Sequence, residues 1–190
     1  MKTSIFLGDA RVFRIYHGDC FAALQKEADL EPTLYTKDDV LKDPQAFSKV
    51  ETIFTTWGMP AFTEEEIRNA FPSLKAVYYA AGSVRYFAAP FLSCGVRVHS
   101  AWAANAVPVA ECTTAQILLA NKGFFKSCRL CSKERSLRDE AKRYAEEKSG
   151  NFDASVGIIG AGMIGKMVIR ALKSYDLKVL AYDKFLSKEE

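Results

Sequence analysis

The sequence lacks several features that would place it in a narrow class of protein. Charge of one sign is missing, because 26 basic and 23 acidic side chains leave a formal net charge of only +3. This balance gives no electrostatic footprint for nucleic acid. No apolar run approaches the roughly 20 residues that cross a bilayer, and the apolar stretch before Gly8 is too short for a signal peptide. We therefore expect a cytoplasmic protein with no nucleic acid and no membrane among its partners.

Cysteine is present, but its number and spacing do not predict a disulfide framework. The five cysteines are odd in number and scattered between Cys20 and Cys131. Cys128 and Cys131 form one C-x-x-C pair, for which a zinc site would need a second pair of ligands nearby. A redox pair would normally open a helix just after a strand, whereas this pair follows a helical stretch. Chance placement on a helix is the favoured interpretation, with a redox or metal role as the alternative, and no metal site is predicted.

What the sequence does contain is a regular alternation of strand-like and helix-like segments. The segments "SIFL", "ETIFTTW", "AVYYAAG" and "GVRVHS" are rich in β-branched and aromatic residues and predict strands. Helices are predicted over "RVFRIY", "CFAALQKEA", "TEEEIRNAF" and "YFAAPFL", and Thr63 and Glu66 have the spacing of a capping box. Such alternation favours βαβ units and therefore an α/β fold with a parallel sheet.

The pattern changes in the second half of the chain, where two longer helices are predicted. The first covers residues 108–122 and has Pro108 at its first turn. The second covers residues 133–148, and its charges alternate in sign, as is typical of a solvated helical face. A turn at "KSGNFD" then leads into a glycine-rich stretch.

This stretch, "VGIIGAGMIG", has the spacing and the context of a dinucleotide-binding motif. Its glycines follow a predicted strand, "SVGII", and open a predicted helix, and a second strand, "LKVLAY", ends just before Asp183. Gly160 allows the tight turn, Gly162 lets the backbone approach a pyrophosphate, and Gly165 lets the helix pack closely on its strand. The helix N-terminus supplies N–H groups and a positive dipole for the phosphates.

Asp183 lies where its carboxylate can distinguish NAD from NADP. A carboxylate at this position accepts hydrogen bonds from the adenosine ribose and repels a 2′-phosphate, so NAD is favoured over NADP. Glycines with a purely structural role and no ligand are the alternative. Lys184, the next residue, is a cation that tolerates a 2′-phosphate.

Several motifs together resemble the D-isomer-specific 2-hydroxyacid dehydrogenase family, which includes phosphoglycerate and hydroxypyruvate dehydrogenases. The similarity rests on "TTWGMP", "AVYYAAGSV", "GVRVHSAWAANA", "NAVPVAE", "VGIIGAGMIG" and "AYDKF". It implies a flavodoxin-like or Rossmann-like substrate domain with a parallel sheet over residues 1–104. Over residues 105–190 it implies the beginning of a doubly wound NAD-binding Rossmann domain. It further implies a homodimer and an NAD-dependent oxidoreductase that acts on the CH–OH group of a D-2-hydroxy acid, or reduces the matching 2-oxo acid.

The resemblance also implies residue roles at the substrate. Backbone N–H groups of the loop Ala81, Gly82 and Ser83 would bind the substrate carboxylate, as a turn after a parallel strand is a natural anion nest. Substrate contacts are also expected at three further positions: Trp57, Gly58 and Asn105. Arg85 departs from the family pattern, because an acidic residue often follows this loop.

The cofactor contacts that the resemblance implies lie mainly in the glycine motif. Met163 and Ile164 would meet the pyrophosphate through their backbone, and Val109 would lie near the nicotinamide. Together with the motif glycines, Asp183 and Lys184, these residues form the predicted cofactor site.

The residues that hydride transfer needs are missing from this pattern. The reaction requires a base for the hydroxyl proton and a cation for the carboxylate, and the family's Arg, carboxylate and His are expected beyond Glu190. The two histidines, His17 and His99, are interpreted as packing or surface residues. We therefore expect a truncated chain that is inactive alone, with an NAD-sensing corepressor-like protein or a non-catalytic dimerising fragment as alternatives. Phosphoglycerate, hydroxypyruvate, glyoxylate and lactate remain open as substrates.

Overall fold

Parallel strands organise the first of two structural units, which ends at Asn105. The computed structural model describes residues 2–148 and 150–185. The strands of this unit are β1 (Ser4–Leu7), β2 (Leu30–Tyr35), β3 (Thr52–Thr55), β4 (Ala76–Tyr79) and β5 (Arg97–Ser100). They form one sheet in the order β2-β1-β3-β4-β5, and every neighbouring pair is parallel. This is the order of flavodoxin-like doubly wound sheets, so the predicted α/β class is confirmed.

The helices of this unit are α1 (Val12–Ile15), α2 (Gly18–Glu27), α3 (Lys37–Lys42), α4 (Glu64–Ala70) and α5 (Ala88–Ser93). Two of them begin with a full capping box. In α4, the Glu66 N–H donates to Thr63 Oγ1 at 3.2 Å, and the Thr63 N–H donates to Glu66 Oε2 at 2.8 Å. Thr36 and Asp39 form the same reciprocal pair at α3. The helix start predicted at Thr63 is therefore confirmed.

The core of this unit lies on both faces of the sheet because alternate strand residues point to opposite sides. Ile5 and Leu7 face one side, where they join a cluster that includes Ile53, Val77 and Phe91. Phe6 faces the other side, in a second cluster with the residues Val12, Tyr16, Leu30 and Phe54. All four residues of β1 are buried, as expected for a strand inside the sheet.

The second unit begins at Ala106 and contains a two-stranded parallel sheet. Its elements are the long helix α6 (Trp102–Asn121), which crosses the unit boundary, then α7 (Phe124–Lys133), α8 (Arg138–Glu146), β6 (Ala154–Ile159), α9 (Met163–Leu172) and β7 (Leu177–Tyr182). Its core is a small cluster around Ala110, Val168 and Leu172. Within residues 2–148 and 150–185, no helix is both long enough and apolar enough to cross a membrane.

Two helix predictions in this region were wrong. Helix α6 begins at Trp102, so Pro108 lies inside it and not in its first turn. The alanines at 103, 104 and 106 explain the earlier start, since alanine is the best helix former. The helix predicted over 133–148 is interrupted by Glu134, which has an extended backbone, and only its second part is α8. This break lets α7 and α8 pack together, with Ser127 Oγ donating to the Ala141 carbonyl at 3.2 Å.

Among the elements that the structure describes, β2, α3 and α7 were not predicted as separate elements. Strand β2 contains Pro32, which cannot donate to a ladder and argues against a strand when read from sequence alone. The structure accommodates it because β2 is an edge strand with β1 as its neighbour. The proline therefore does not interrupt a central ladder.

Candidate nucleotide-binding and acid-binding sites

The glycine motif forms the turn between β6 and α9. Gly160 has a φ of +93°, in the range that side-chain-bearing residues rarely adopt, and its N–H donates to the Tyr182 carbonyl at 2.8 Å. This bond ties the turn to the end of the neighbouring strand β7. The chain then enters α9 at Gly162, which occupies the N-cap position.

Gly165 lies where the helix passes closest to the turn. A Cβ atom at this position would overlap the Gly160 carbonyl oxygen and would come within 3.7 Å of Ile158 Cγ2. Only a glycine lets the first turn of α9 approach the backbone of the glycine turn this closely. The position therefore fixes the helix axis relative to β6.

The outer side of the turn is open. A Cβ atom built on Gly160 or Gly162 would meet nothing within 4 Å, and no side chain caps α9. Among the described residues, the N–H groups of Met163 and Ile164 donate no hydrogen bond outside the helix. An open cradle at the N-terminus of a helix, with free N–H groups, suits a phosphate group. These residues therefore fit a dinucleotide.

Asp183 is held directly beside this turn. Its carboxylate accepts from the Phe185 N–H at 2.8 Å and from the Ala161 N–H at 2.7 Å. The bond from Phe185, followed by that from Ala161, lowers the pKa of Asp183, so the group stays ionised. Because an ionised carboxylate has about four acceptor positions, it still has capacity for ribose hydroxyls. The Nζ of Lys184 lies 4.8 Å from the centre of the Phe185 ring.

The structure thus brings together the cofactor residues predicted in and after the motif: Gly160, Gly162, Met163, Ile164, Gly165, Asp183 and Lys184. Val109 lies on α6 and is 41% exposed. Its predicted place beside the nicotinamide stays a prediction.

In the first unit, the loop Ala81, Gly82 and Ser83 follows β4 directly. Its carbonyls are turned inward: Ser100 Oγ donates to the carbonyls of Ala81 at 2.9 Å and Gly82 at 2.5 Å. Thr56 Oγ1 holds the preceding Ala80 carbonyl at 3.2 Å. In the part of the chain that the structure describes, the N–H groups of Gly82 and Ser83 have no hydrogen-bond acceptor. Free N–H groups at the carboxyl end of a parallel strand suit a carboxylate.

Other predicted substrate residues lie in the same unit. The side-chain amide of Asn105 lies close to Gly82: a Cβ atom built on Gly82 would be 3.2 Å from Asn105 Nδ2. Trp57 and Gly58 follow β3, the neighbour of β4, and Trp57 is 44% exposed. The loops of neighbouring parallel strands end on one edge of the sheet, so these residues share the edge on which ligands usually bind.

An ion pair at this edge of the sheet was not identified from the sequence. Asp9 and Arg11 follow β1 and form an ion pair, with Arg11 Nη2 2.5 Å from Asp9 Oδ2. The signal was available, since "GD" directly follows the apolar run "SIFL" and therefore lies at the carboxyl end of a strand.

The two histidines and the C-x-x-C pair lie outside the loops described above. His99 lies in β5 with its ring stacked on Tyr78 at a centroid distance of 4.8 Å, and His17 directly precedes α2. Cys128 and Cys131 lie exposed on α7. Within the described ranges, no group of three or more potential metal ligands occurs.

Comparison with known protein families gives a match that lies in the second unit. Residues 115–190 match the model for "D-isomer specific 2-hydroxyacid dehydrogenase, NAD binding domain". This match confirms NAD as the predicted cofactor at the level of the domain family. No curated protein matches the sequence.

Solved structures resemble the chain over almost its whole length. The holo form of Rhodotorula graminis D-mandelate dehydrogenase matches with a TM-score of 0.73 and 19% identity over 98% of this chain and 57% of that one. Aquifex aeolicus D-lactate dehydrogenase, complexed with NAD and lactic acid, matches with a TM-score of 0.61 and 22% identity over 98% and 53%. NAD-dependent formate dehydrogenase from Staphylococcus aureus matches with a TM-score of 0.64 and 19% identity over 97% and 56%.

At these identities the structures establish the fold, and the chain spans somewhat more than half the length of the proteins it matches. The match of residues 115–190 to the domain model is what relates the chain to a family. The resemblance seen in the sequence is thereby confirmed: residues 115–190 match the model of the NAD-binding domain of the D-isomer specific 2-hydroxyacid dehydrogenases.

Proposed function

We propose that this chain provides the acid-binding unit and the start of the cofactor-binding unit of an NAD-dependent oxidoreductase. The reaction is transfer of a hydride between NAD and the CH–OH group of a D-2-hydroxy acid, or the reverse reduction of a 2-oxo acid. One observation carries the proposal: a glycine turn with free N–H groups and an ionised Asp183 beside it lies inside the segment that matches the family's NAD-binding domain.

In this proposal the second unit binds the dinucleotide. The N-terminus of α9 binds the pyrophosphate, with Met163 and Ile164 contributing their N–H groups. Asp183 accepts hydrogen bonds from the adenosine ribose, and its charge disfavours the 2′-phosphate of NADP. When bound, NAD supplies the group that accepts or gives the hydride.

The first unit binds the acid. The N–H groups of Gly82 and Ser83 donate to the substrate carboxylate, and such charge-assisted hydrogen bonds are stronger than neutral ones. Asn105, whose amide lies against Gly82, and Trp57 border the bound acid. Ser100 holds the loop in shape through the carbonyls of Ala81 and Gly82.

The 190 residues by themselves do not carry out the reaction in this proposal. Positioning an acid and a cofactor leaves the hydroxyl proton without an acceptor, and a general base typically contributes a factor of about 10²–10⁴. His99 is stacked on Tyr78 on the face of the sheet, and His17 directly precedes α2 without a side-chain capping bond. Neither histidine belongs to the loops that follow β3 and β4.

A non-catalytic dimerising role is a second candidate, favoured by apolar exposure in the second unit. Phe124 and Phe125 are each close to half exposed on α7, and Val107 and Leu119 are exposed on α6. We propose a homodimer that uses these helices, in an enzyme or in an NAD-sensing protein. The five free cysteines suit a reducing compartment, and we propose a cytoplasmic location.

The proposal is tested with the 190-residue chain, NADH, and a panel of pyruvate, glyoxylate, hydroxypyruvate and phosphohydroxypyruvate. We expect NADH to bind, as seen in its fluorescence, and the 2-oxo acids to shift the amide resonances of Gly82 and Ser83, without oxidation of NADH. The absence of both binding signals would refute the proposed function. Turnover that disappears in His99→Ala or His17→Ala would show that the base has been misplaced.

A further inference from the structure

The loop after β1 carries a fixed guanidinium that the proposed chemistry does not use. Arg11 Nε donates to both carboxylate oxygens of Asp9, at 2.9 and 3.0 Å, and Arg11 Nη2 donates to Oδ2 at 2.5 Å. Asp9 also accepts from the Arg11 N–H at 2.9 Å. The pair is about half exposed, so it is ordered by its own bonds while remaining open to solvent.

This pair rests against the loop after β3. Gly58 has a φ of +94°, and a Cβ at that position would overlap the Asp9 carboxylate and lie 2.8 Å from Arg11 Nη2. The absence of a side chain at Gly58 therefore lets the guanidinium lie directly against the turn that contains Trp57. This is the turn at which substrate contacts are predicted.

One edge of the guanidinium is free to bind a ligand. Arginine has five N–H donors in a planar fork, and Nε and Nη2 face Asp9. Within residues 2–148 and 150–185, Nη1 donates to no protein group. The hydrogen bond to Asp9 raises the pKa of Arg11, and the bond from Arg11 lowers the pKa of Asp9 to about 2, so both groups are charged at any working pH.

A second, independent feature of the same loops also lacks a partner. Thr55 is fully buried at the end of β3, and its Oγ1 has no hydrogen-bond partner among the described residues. It lies 3.4 Å from the position of a Cβ on Gly8, and the Gly58 carbonyl oxygen lies 3.5 Å from the same point. Buried hydroxyls are normally paired, so this position calls for a water or a ligand atom between the loops after β1 and β3.

We propose that Arg11, held by Asp9, determines substrate specificity by binding an anionic group at the distal end of the 2-hydroxy acid. The inference rests on the proposed function, since the first carboxylate is placed at Gly82 and Ser83. Strands β1 and β4 are separated by β3, so their loops are about 9–10 Å apart. An acid with a second carboxylate or a phosphate spans more of that distance than lactate does, and the arginine side chain covers the rest.

The test compares three acids on the 190-residue chain by ¹H–¹⁵N spectroscopy: D-lactate, D-malate and D-3-phosphoglycerate. We expect all three to shift the amides of Gly82 and Ser83. D-malate and D-3-phosphoglycerate should also shift the Nε–H resonance of Arg11 and bind roughly fivefold more tightly than D-lactate, as suits a partly exposed ion pair. If only one of D-malate and D-3-phosphoglycerate gives this response, the result shows whether Arg11 prefers a distal carboxylate or a distal phosphate, and either result supports the proposal.

Variants separate this inference from the proposed function. The double variant Asp9→Asn/Arg11→Gln keeps the net charge and should bring D-malate and D-3-phosphoglycerate to the affinity of D-lactate. The control variant is Arg14→Gln, which removes an exposed charge from α1, the helix that begins directly after Arg11. It should still bind D-malate and D-3-phosphoglycerate more tightly than D-lactate. Equal affinities for all three acids in the wild type, with the Gly82 and Ser83 amides responding, would overturn the role of Arg11 alone. No response of these amides to any acid would overturn the proposed function as well.

Discussion

Three glycines of one turn serve three different physical requirements. Gly160 needs its positive φ, Gly162 leaves open space in front of α9, and Gly165 removes a clash with the Gly160 carbonyl. Their spacing predicted these roles, because each follows from the geometry of a strand, a turn and a helix. The bond from the Ala161 N–H to Asp183 was not predictable, since it depends on how β7 aligns with the turn.

Gly165→Ala should destabilise the second unit. Alanine at an ordinary helix position is about 1 kcal/mol better than glycine, yet here the added Cβ would overlap backbone, and overpacking costs about 1–3 kcal/mol. Gly157→Ala is the matched control, because a Cβ in that part of β6 meets nothing within 4 Å. Denaturant unfolding should show a loss for the first variant only. Equal stabilities would contradict the close approach of α9 to the turn.

Asp183→Ala should weaken NADH binding more than NADPH binding. The variant loses acceptors for the ribose hydroxyls and removes the charge that repels a 2′-phosphate. Asp176→Ala, at the opposite end of β7, removes an exposed carboxylate of the same type and should leave both affinities unchanged. Fluorescence titration measures the ratio, and an unchanged NADH to NADPH preference in Asp183→Ala would contradict the assignment.

At the scale of elements, the helices and strands that depend on local sequence signals were predicted correctly, whereas those that depend on tertiary contacts were not. The capping box at Thr63 and the strand that ends before Asp183 were predicted because their causes lie within a few residues. Pro108 misled the prediction of a helix start, and β2, which contains Pro32, was not predicted. A proline is tolerated at a sheet edge or within a helix only when the rest of the fold compensates. That compensation is not visible in a local pattern.

Pro108→Ala should stabilise the chain. Proline inside a helix is about 3 kcal/mol less favourable than alanine, and the substitution gives residue 108 an N–H for the helix. Pro90→Ala serves as the control, because Pro90 is the third residue of α5, where the N–H has no helical acceptor. We expect a higher thermal midpoint for Pro108→Ala and no gain for Pro90→Ala. A lower midpoint for Pro108→Ala would show that the proline is required where it stands.

At the scale of the whole molecule, the two units differ in how their sheets are covered. The sheet of the first unit packs apolar clusters on both faces, whereas β6 and β7 bury one face against α6 and α9. On the other face, Ile159, Leu180 and Tyr182 are 89%, 52% and 68% exposed. Parallel sheets are normally covered on both faces, so the second unit has less to hold it together.

Hydrogen exchange should reveal this difference. We expect the amides of β6 and β7 to exchange on the order of tenfold or more faster than those of β1, β3 and β4, because fewer buried contacts oppose local opening. Adding saturating NAD should slow exchange in β6 and β7, since a ligand stabilises the state that binds it. Equal protection in both units would contradict this account of their packing.

The sequence predicted a substrate domain over residues 1–104 and the start of an NAD-binding domain over residues 105–190, and these roles stay predictions. In the structure the first unit ends at Asn105. Short sequence motifs predicted the loop after β4 and the glycine turn, because each is a short segment that directly follows one strand. Arg11 and Thr55 could not be found in this way, since their significance comes from contacts with Gly58 and Gly8 across neighbouring strands.

Binding of NAD at the glycine turn is the central claim, and amide chemical shifts during an NAD⁺ titration of the 190-residue chain test it most directly. We expect saturable shifts concentrated at residues 160–165 and at Asp183, with small changes in residues 2–105. Gly162→Val should keep the fold, because the position is open, and lose these shifts, because the side chain would occupy the space for the pyrophosphate. No saturable shifts at the turn, or equal shifts in Gly162→Val, would contradict the account.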